Sequence, residues 1–401
     1  MKKHLALALV LGVVWLIGGC APKRMATPIS EEDNPAHHYL MGMQMIDKGD
    51  LSEAETRFNR ALELDVEYAP AMAGKALVAA CKTGKTTDKA HQSVELERAL
   101  DLLDDAMDEA DGDSEKFIAE VTGIRVYTEG RPKKWLKDAK GCYKDAMGLD
   151  KVKTEDLPYY RNKEAAHYFM GVAYYRDYRF RDAEDVLARV MSATPGRWHE
   201  PAGKLFKKVH KIIRASASFT LTDVAKRIAV KDEVGRADVA ALLVDEVHLD
   251  RLMAGRLGPT EKEKPADFIP ADVRGHMFKP EILIVQKWGL RGLEPIYDKT
   301  SKAYLFYPDK PVSREELAFI LEDLLIKITG DEALATRYFG QKNSPYPDVA
   351  PTDASFNAVM NVVNRGLMEA DISGTFRPDD NTDGAELLLS VMRLRNVMNV
   401  K

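Results

Sequence analysis

Catalytic signatures are missing from this 401-residue sequence. It has no Gly-rich phosphate loop, no His-Glu-x-x-His pair and no Cys-x-x-Cys pair. Gly255-Arg256-Leu257-Gly258 does not make a nucleotide loop, because no strand is predicted before it. His37-His38 stands without a second ligand cluster at metal spacing, so no metal and no cofactor is expected. Acidic pairs such as Asp104-Asp105 fall on amphipathic helices and read as solvated faces. Charge of one sign is lacking too. A net charge of −5, with Lys and Arg interleaved among acids, gives no basic face for nucleic acid. Apolar runs of spanning length, about 20 residues, are also missing. Together these absences point to binding rather than catalysis.

Cysteine is scarce, at three residues. Cys81 and Cys142 have no spacing that demands a disulfide, and two unpaired, largely buried thiols are the simpler reading. The third, Cys20, closes the most informative stretch of the chain. Lys2 and Lys3 precede the apolar run Leu5 to Ile17, which ends in Ile17-Gly18-Gly19-Cys20. A positive start, a short apolar core and small residues at the end make an export signal. The tetrad resembles the lipobox of bacterial lipoproteins. That resemblance implies a leader over residues 1–19 and lipid (palmitate among its acyl chains) on Cys20, which becomes the first mature residue. Several acyl chains on one residue anchor a protein stably. Ala21, rather than Asp, after the cysteine implies the outer membrane, facing the periplasm. Residues 20–34 are polar and proline-punctuated, and are expected to be a flexible tether.

From Ala36 the chain alternates helical periodicity with short Gly/Asp breaks. Gly42, Ala54, Phe58 and Ala61 repeat as Gly171, Ala183, Leu187 and Val190, followed by Pro195. The small residues let paired helices approach, and the larger ones form the apolar stripe. With the Gly49-Asp50 turn and Tyr174, this resembles the tetratricopeptide (TPR) repeat. Two irregular copies lie between, one carrying Ala76, Ala99, Leu103 and Ala106, the other Gly123, Ala139, Tyr143 and Ala146. Residues 35–214 are thus expected to be a TPR-like hairpin solenoid, with a capping helix over Pro201 to Ile213. The resemblance implies a groove that docks a protein or peptide. Tyr160, His167, Tyr168, Tyr174, Tyr175 and Tyr178 form an aromatic-rich unit, expected mostly in packing.

Beyond residue 218 prolines become frequent and a grammar repeats three times. The last copy runs Tyr346-Pro347-Asp348-Val349, a helix from Phe356 to Asn364, Gly374-Thr375-Phe376-Arg377-Pro378-Asp379, then Asp383-Gly384-Ala385-Glu386 opening a second helix. The middle copy has Ala271-Asp272-Val273, Trp288-Gly289-Leu290, Phe306-Tyr307-Pro308-Asp309 and Ser313-Arg314-Glu315-Glu316. The first keeps Leu221-Thr222-Asp223-Val224 and Gly235-Arg236-Ala237-Asp238, and shows no first helix. Ser313-x-x-Glu316 and Asp383-x-x-Glu386 read as capping boxes. Arg236 and Arg314 then fall at the first helical position, expected exposed. A cation there opposes the helix dipole, so stability does not explain it, but it suits an anion.

These copies resemble S-layer homology (SLH) motifs, which implies a pseudo-threefold helical bundle over residues 218–401. It also implies grooves for cell-wall glycan, with Arg236 and Arg314 meeting an acidic sugar. Gly384 in place of arginine implies a weakened third groove, and Trp288 is a candidate sugar-stacking face. The whole chain reads as all-α: a lipid-anchored, non-enzymatic envelope protein binding cell-wall polysaccharide or peptidoglycan and a protein partner. A TPR scaffold for a secretion, pilus or outer-membrane machine, with a purely structural bundle, is the alternative.

Overall fold

A computed structural model describes residues 25–256 and 268–398. Cys20, its leader and the exposed loop expected over Gly258–Pro265 lie outside them. Among the described residues the chain is mostly helical, with sixteen α-helices and one two-stranded ribbon. None of these helices is long and apolar enough to cross a membrane. The chain divides into two compact units, Met1–Met170 and Gly171–Lys401. The division falls within helix α7 (Glu164–Arg176), not at the change of composition near residue 215.

In the first unit, α1 (Pro35–Asp47) pairs with α2 (Leu51–Leu64), α3 (Ala69–Thr83) with α4 (Lys89–Glu109), and α5 (Gly112–Gly130) with α6 (Trp135–Gly148). The first helices of successive hairpins pack side by side, α1 on α3 and α3 on α5. Gly42 explains the closeness of one pair. A Cβ there would lie 2.5 Å from the Phe58 ring, so only hydrogen lets α1 and α2 meet. Arg125 on α5 ties distant segments together. Its guanidinium lies 4.5 Å from the Phe169 ring centroid and donates to the Tyr159 hydroxyl at 3.3 Å. That hydroxyl in turn donates to Asp47 at 2.6 Å. Tyr160 is fully buried against it, and the Tyr143 hydroxyl bonds His167 Nδ1 at 2.7 Å. Neither Cys81 nor Cys142 is in a disulfide, and burial pushes the Cys142 thiol well above its ordinary range.

The tether is shorter than the sequence suggests. The Ala26 amide bonds the Glu63 carbonyl at 2.7 Å, and buried Asp33 takes Arg60 and His38. Buried ion pairing, invisible in a polar stretch, binds residues 26–34 to the first hairpin.

The second unit begins with the end of α7 and α8 (Phe180–Ser192), where Gly171 sits against Leu187. α9 (His199–Ala215) buries Ala202, Val209, Ile212 and Ala215, packing on α8 and on the last helix of the chain. Then follow α10 (Asp223–Ala229), α11 (Arg236–Asp245), α12 (Leu249–Arg256), α13 (Lys279–Lys287), strands β1 (Ile296–Asp298) and β2 (Ala303–Leu305), α14 (Arg314–Thr329), α15 (Phe356–Asn364) and α16 (Gly384–Val397). α11 packs on α13, α14 on α15, and α16 on α10, so each copy's second helix meets a first helix of the next, in a closed circuit. The first copy therefore has a first helix after all. α10 has seven residues, capped by Thr222, whose hydroxyl accepts the Ala225 amide at 3.1 Å. Its two turns carry too little periodicity to mark a helix in the sequence.

Candidate functional site

The three repeated helix starts share a ring of backbone bonds. The Val312 amide donates to Val234, Thr382 to Val312, and Val234 to Thr382, at 2.9–3.0 Å. Each residue immediately precedes a cap: Gly235, Ser313 or Asp383. One closed ring thus launches α11, α14 and α16.

Arg236 and Arg314 follow that ring, and the structure corrects their expected exposure. They are 5% and 2% exposed. Arg236 donates to the carbonyls of Phe306 (2.8 Å), Gly292 (2.5 Å) and Glu294 (2.7 Å), with its guanidinium 4.8 Å from the Phe306 centroid. Arg314 repeats the arrangement. It donates to Phe376 O at 2.7 Å and Glu369 O at 2.8 Å, lies 4.7 Å from the Phe376 centroid, and pairs with the Glu386 carboxylate. Burial, then the charge of Arg377, lowers the Arg314 pKa to about 10, which leaves it cationic at neutral pH. The helix amides are engaged as well. Arg236 and Ala237 donate to Lys310 and Pro308, and Arg314 and Glu315 to Asp380 and Pro378. Each arginine is a staple that holds the next copy's Phe-x-Pro-Asp loop against its own helix start, and Arg314 also borders a cleft.

The caps differ in the same sense. Ser313 and Glu316 form the full reciprocal box. Asp383 accepts the Glu386 amide at 2.8 Å, but the Glu386 carboxylate turns to Arg314. Gly384 closes the third interface. Its amide bonds Lys231 O at 3.0 Å, and a Cβ there would collide with the Ile228 carbonyl oxygen. Trp288 is corrected too. It is 6% exposed, its indole N–H donates to Asp250 at 2.9 Å, and Lys287 covers the ring, which removes it as a sugar-stacking face.

The entry-motif aspartates play a part that the sequence reading did not assign. Asp272 accepts the Phe306 and Tyr307 amides at 3.0 and 2.7 Å, and Asp348 accepts those of Phe376 and Arg377 at 2.9 and 2.6 Å. Tyr307 and Arg377 have φ of 54° and 57°, a left-handed geometry that the clamp holds. The signal was an Asp-Val pair ahead of each Phe-x-Pro-Asp loop.

Residues 345–388 form an S-layer homology domain. No curated protein and no solved structure matches the chain. S-layer homology domains are non-catalytic modules that bind cell-wall polysaccharide or peptidoglycan, so this one implies association with the cell surface or envelope. The matched S-layer homology residues include the Asp348 clamp, α15, Phe376 and the start of α16.

The clamp makes a pH prediction. Burial would raise the Asp348 pKa, but the Phe376 and Arg377 amides outweigh it and hold it below 3.8. Its stabilisation is therefore complete above pH about 4 and lost as pH falls through the lowered value. Asp348→Asn keeps one acceptor oxygen and should cost about 1–3 kcal/mol in urea unfolding at pH 7. That difference should shrink in acid. A pH-independent difference would exclude the clamp's charge as its source.

Proposed function

We propose that this protein is a non-enzymatic envelope lipoprotein that holds cell-wall polymer through its C-terminal motifs and docks a protein on its helical repeats. The observation that carries the reading is the S-layer homology domain, set in a three-membered ring of helix starts. The ring and the circuit α11–α13, α14–α15, α16–α10 support three SLH-like copies over residues 218–401, arranged as a pseudo-threefold bundle. Side-by-side hairpins with Gly42 against Phe58 support TPR-like repeats. The lipobox-like tetrad ending at Cys20 supports lipid anchoring, with Ala21 favouring the outer membrane and a periplasm-facing protein. Arg236 and Arg314 serve the wall site by fixing its loops.

Their burial also favours a second reading, an assembly scaffold in which the bundle is structural only. Cell fractionation and sedimentation with isolated sacculi separate the two. The full chain is expected in the membrane fraction and, once solubilised, to sediment with sacculi. Cys20→Ser should leave the membrane yet keep sacculus binding. A folded chain that ignores sacculi would leave the scaffold reading standing.

A further inference from the structure

Fifteen residues separate α6 from α7, and apart from one turn at Thr154–Asp156 they form no regular structure. A connection of this length inside a compact unit is uncommon unless it is functional. The Lys163 ammonium bonds the Leu149 carbonyl, so the two ends are tied and residues 150–162 form a closed loop.

That loop lies along the first helices of the hairpins. The Lys151 and Lys153 amides donate to Asp113 at 2.7 Å and to the Ser114 hydroxyl at 3.1 Å, at the start of α5. Further along, the Tyr160 hydroxyl pairs with Thr122 at 2.8 Å, and the Tyr159 hydroxyl bridges Arg125 of α5 to Asp47 of α1. Leu157, Tyr159 and Tyr160 are buried, while Lys151, Lys153 and Glu155 are exposed. An extended segment anchored by alternate side chains is how a stacked repeat array holds a peptide on its inner face. What stays open beside it is a cleft of about 710 Å³. The starts of α1, α3 and α5 form one wall, and Lys151, Lys153 and Pro158 of the loop form another.

Two features set this contact apart from ordinary core packing. The helix residues that grip the loop are polar, namely Asp47, Asp113, Ser114, Thr122 and Arg125, whereas the hairpins pack on one another through alanines, leucines and aromatics. The fit is also incomplete. Tyr39 of α1 is fully buried, and its hydroxyl has no hydrogen-bond partner among the described residues. Burial, and then the nearby hydroxyls of Tyr160, Tyr68 and Tyr159, push its pKa well above the ordinary range. A buried donor left unpaired is costly, so an occupant that offered it an acceptor would fit better than the loop does.

We propose that residues 150–162 are a built-in occupant of the repeat groove, and that a protein partner docks there by displacing them. The partner's segment is extended, carries aromatic side chains for the places of Tyr159 and Tyr160, and brings an acceptor for Tyr39. The proposal rests on the reading that the repeats dock a protein, and it supplies the regulation of that site. The tie between Lys163 and Leu149 lets the loop leave as one piece, with α6 and α7 intact. Held in cis, it competes at an effective concentration on the order of millimolar, so weak ligands are kept out.

The test uses the full chain carrying Cys20→Ser, with amide hydrogen exchange and a labelled synthetic peptide of residues 150–162. In the parent, the Lys151 and Lys153 amides should exchange at least about tenfold faster than those in the middle of α5, because the loop opens without global unfolding. Tyr159→Phe keeps the ring and loses the bonds to Asp47 and Arg125. It should speed both lysine amides by about threefold to tenfold, although they lie at the far end of the loop. The peptide should bind a chain whose residues 150–162 are replaced by Gly and Ser at least about tenfold more tightly than it binds the parent. It should also bind the Tyr159→Phe chain more tightly than the parent, which carries the peptide test should the replaced chain not fold. Lysine amides as slow as those of α5, or unmoved by Tyr159→Phe, would overturn the proposal. Equal peptide binding by parent and variants removes the built-in competitor and leaves docking in the groove standing. Folded variants that bind no peptide remove both.

Discussion

Arg314→Met should lower the stability of the C-terminal unit by about 3–5 kcal/mol, the usual result of breaking a buried ion pair from one side. Arg314 is 2% exposed and its partner Glu386 is buried. Removing the guanidinium leaves that carboxylate without its counter-charge and orphans the carbonyls of Phe376 and Glu369. Arg236→Met makes the informative contrast. It orphans three carbonyls but strands no buried carboxylate, so it should cost less. Adding Glu386→Gln to Arg314→Met should restore part of the loss, because the stranded charge disappears. Urea unfolding followed by tryptophan fluorescence reads all four proteins. An Arg314→Met protein as stable as the parent would show that the pair is not closed to solvent. Charge reversal at Arg314 is accordingly a poor probe of glycan binding, since lost binding would report lost folding.

Much of this arrangement was legible in the sequence, and the failures have physical causes. Capping chemistry is local, so the Ser313 start and the Asp383 cap could be read from spacing alone. The glycine against a large residue sixteen positions on was equally legible, as Gly42 with Phe58 and Gly171 with Leu187. What an arginine at a helix start faces is not local. By the dipole alone Arg236 and Arg314 would end in solvent, whereas loops more than fifty residues away supply carbonyls that outweigh the unfavourable dipole. Trp288 failed alike, because Asp250, which holds its indole, is 38 residues distant. The helix over Pro201 to Ile213 was legible and stands as α9, but its packing against α16 is a contact that periodicity does not encode.

Gly384 gives the sharpest separation between motif logic and geometry. By analogy with Arg236 and Arg314, Gly384→Arg should complete a third staple and strengthen the bundle. The structure predicts the opposite. A Cβ at Gly384 would strike the Ile228 carbonyl oxygen and lie 2.8 Å from its carbon and 3.0 Å from that of Ala229. These are backbone atoms of α10 and cannot swing aside as a side chain would. α10 would have to withdraw, taking with it the bond from the Gly384 amide to Lys231 and straining the ring through Val234 and Thr382. Overpacking typically costs about 1–3 kcal/mol, and a backbone collision belongs at or above the upper end of that range. Gly384→Ala isolates the effect. Helix propensity alone favours alanine over glycine by up to about 1 kcal/mol, so a net loss must come from the collision. Both variants should unfold at lower urea than the parent, with arginine the worse. If Gly384→Arg were instead more stable, the third interface would have to open enough to seat a staple, and the closed ring of helix starts could not be as tight as its hydrogen bonds indicate.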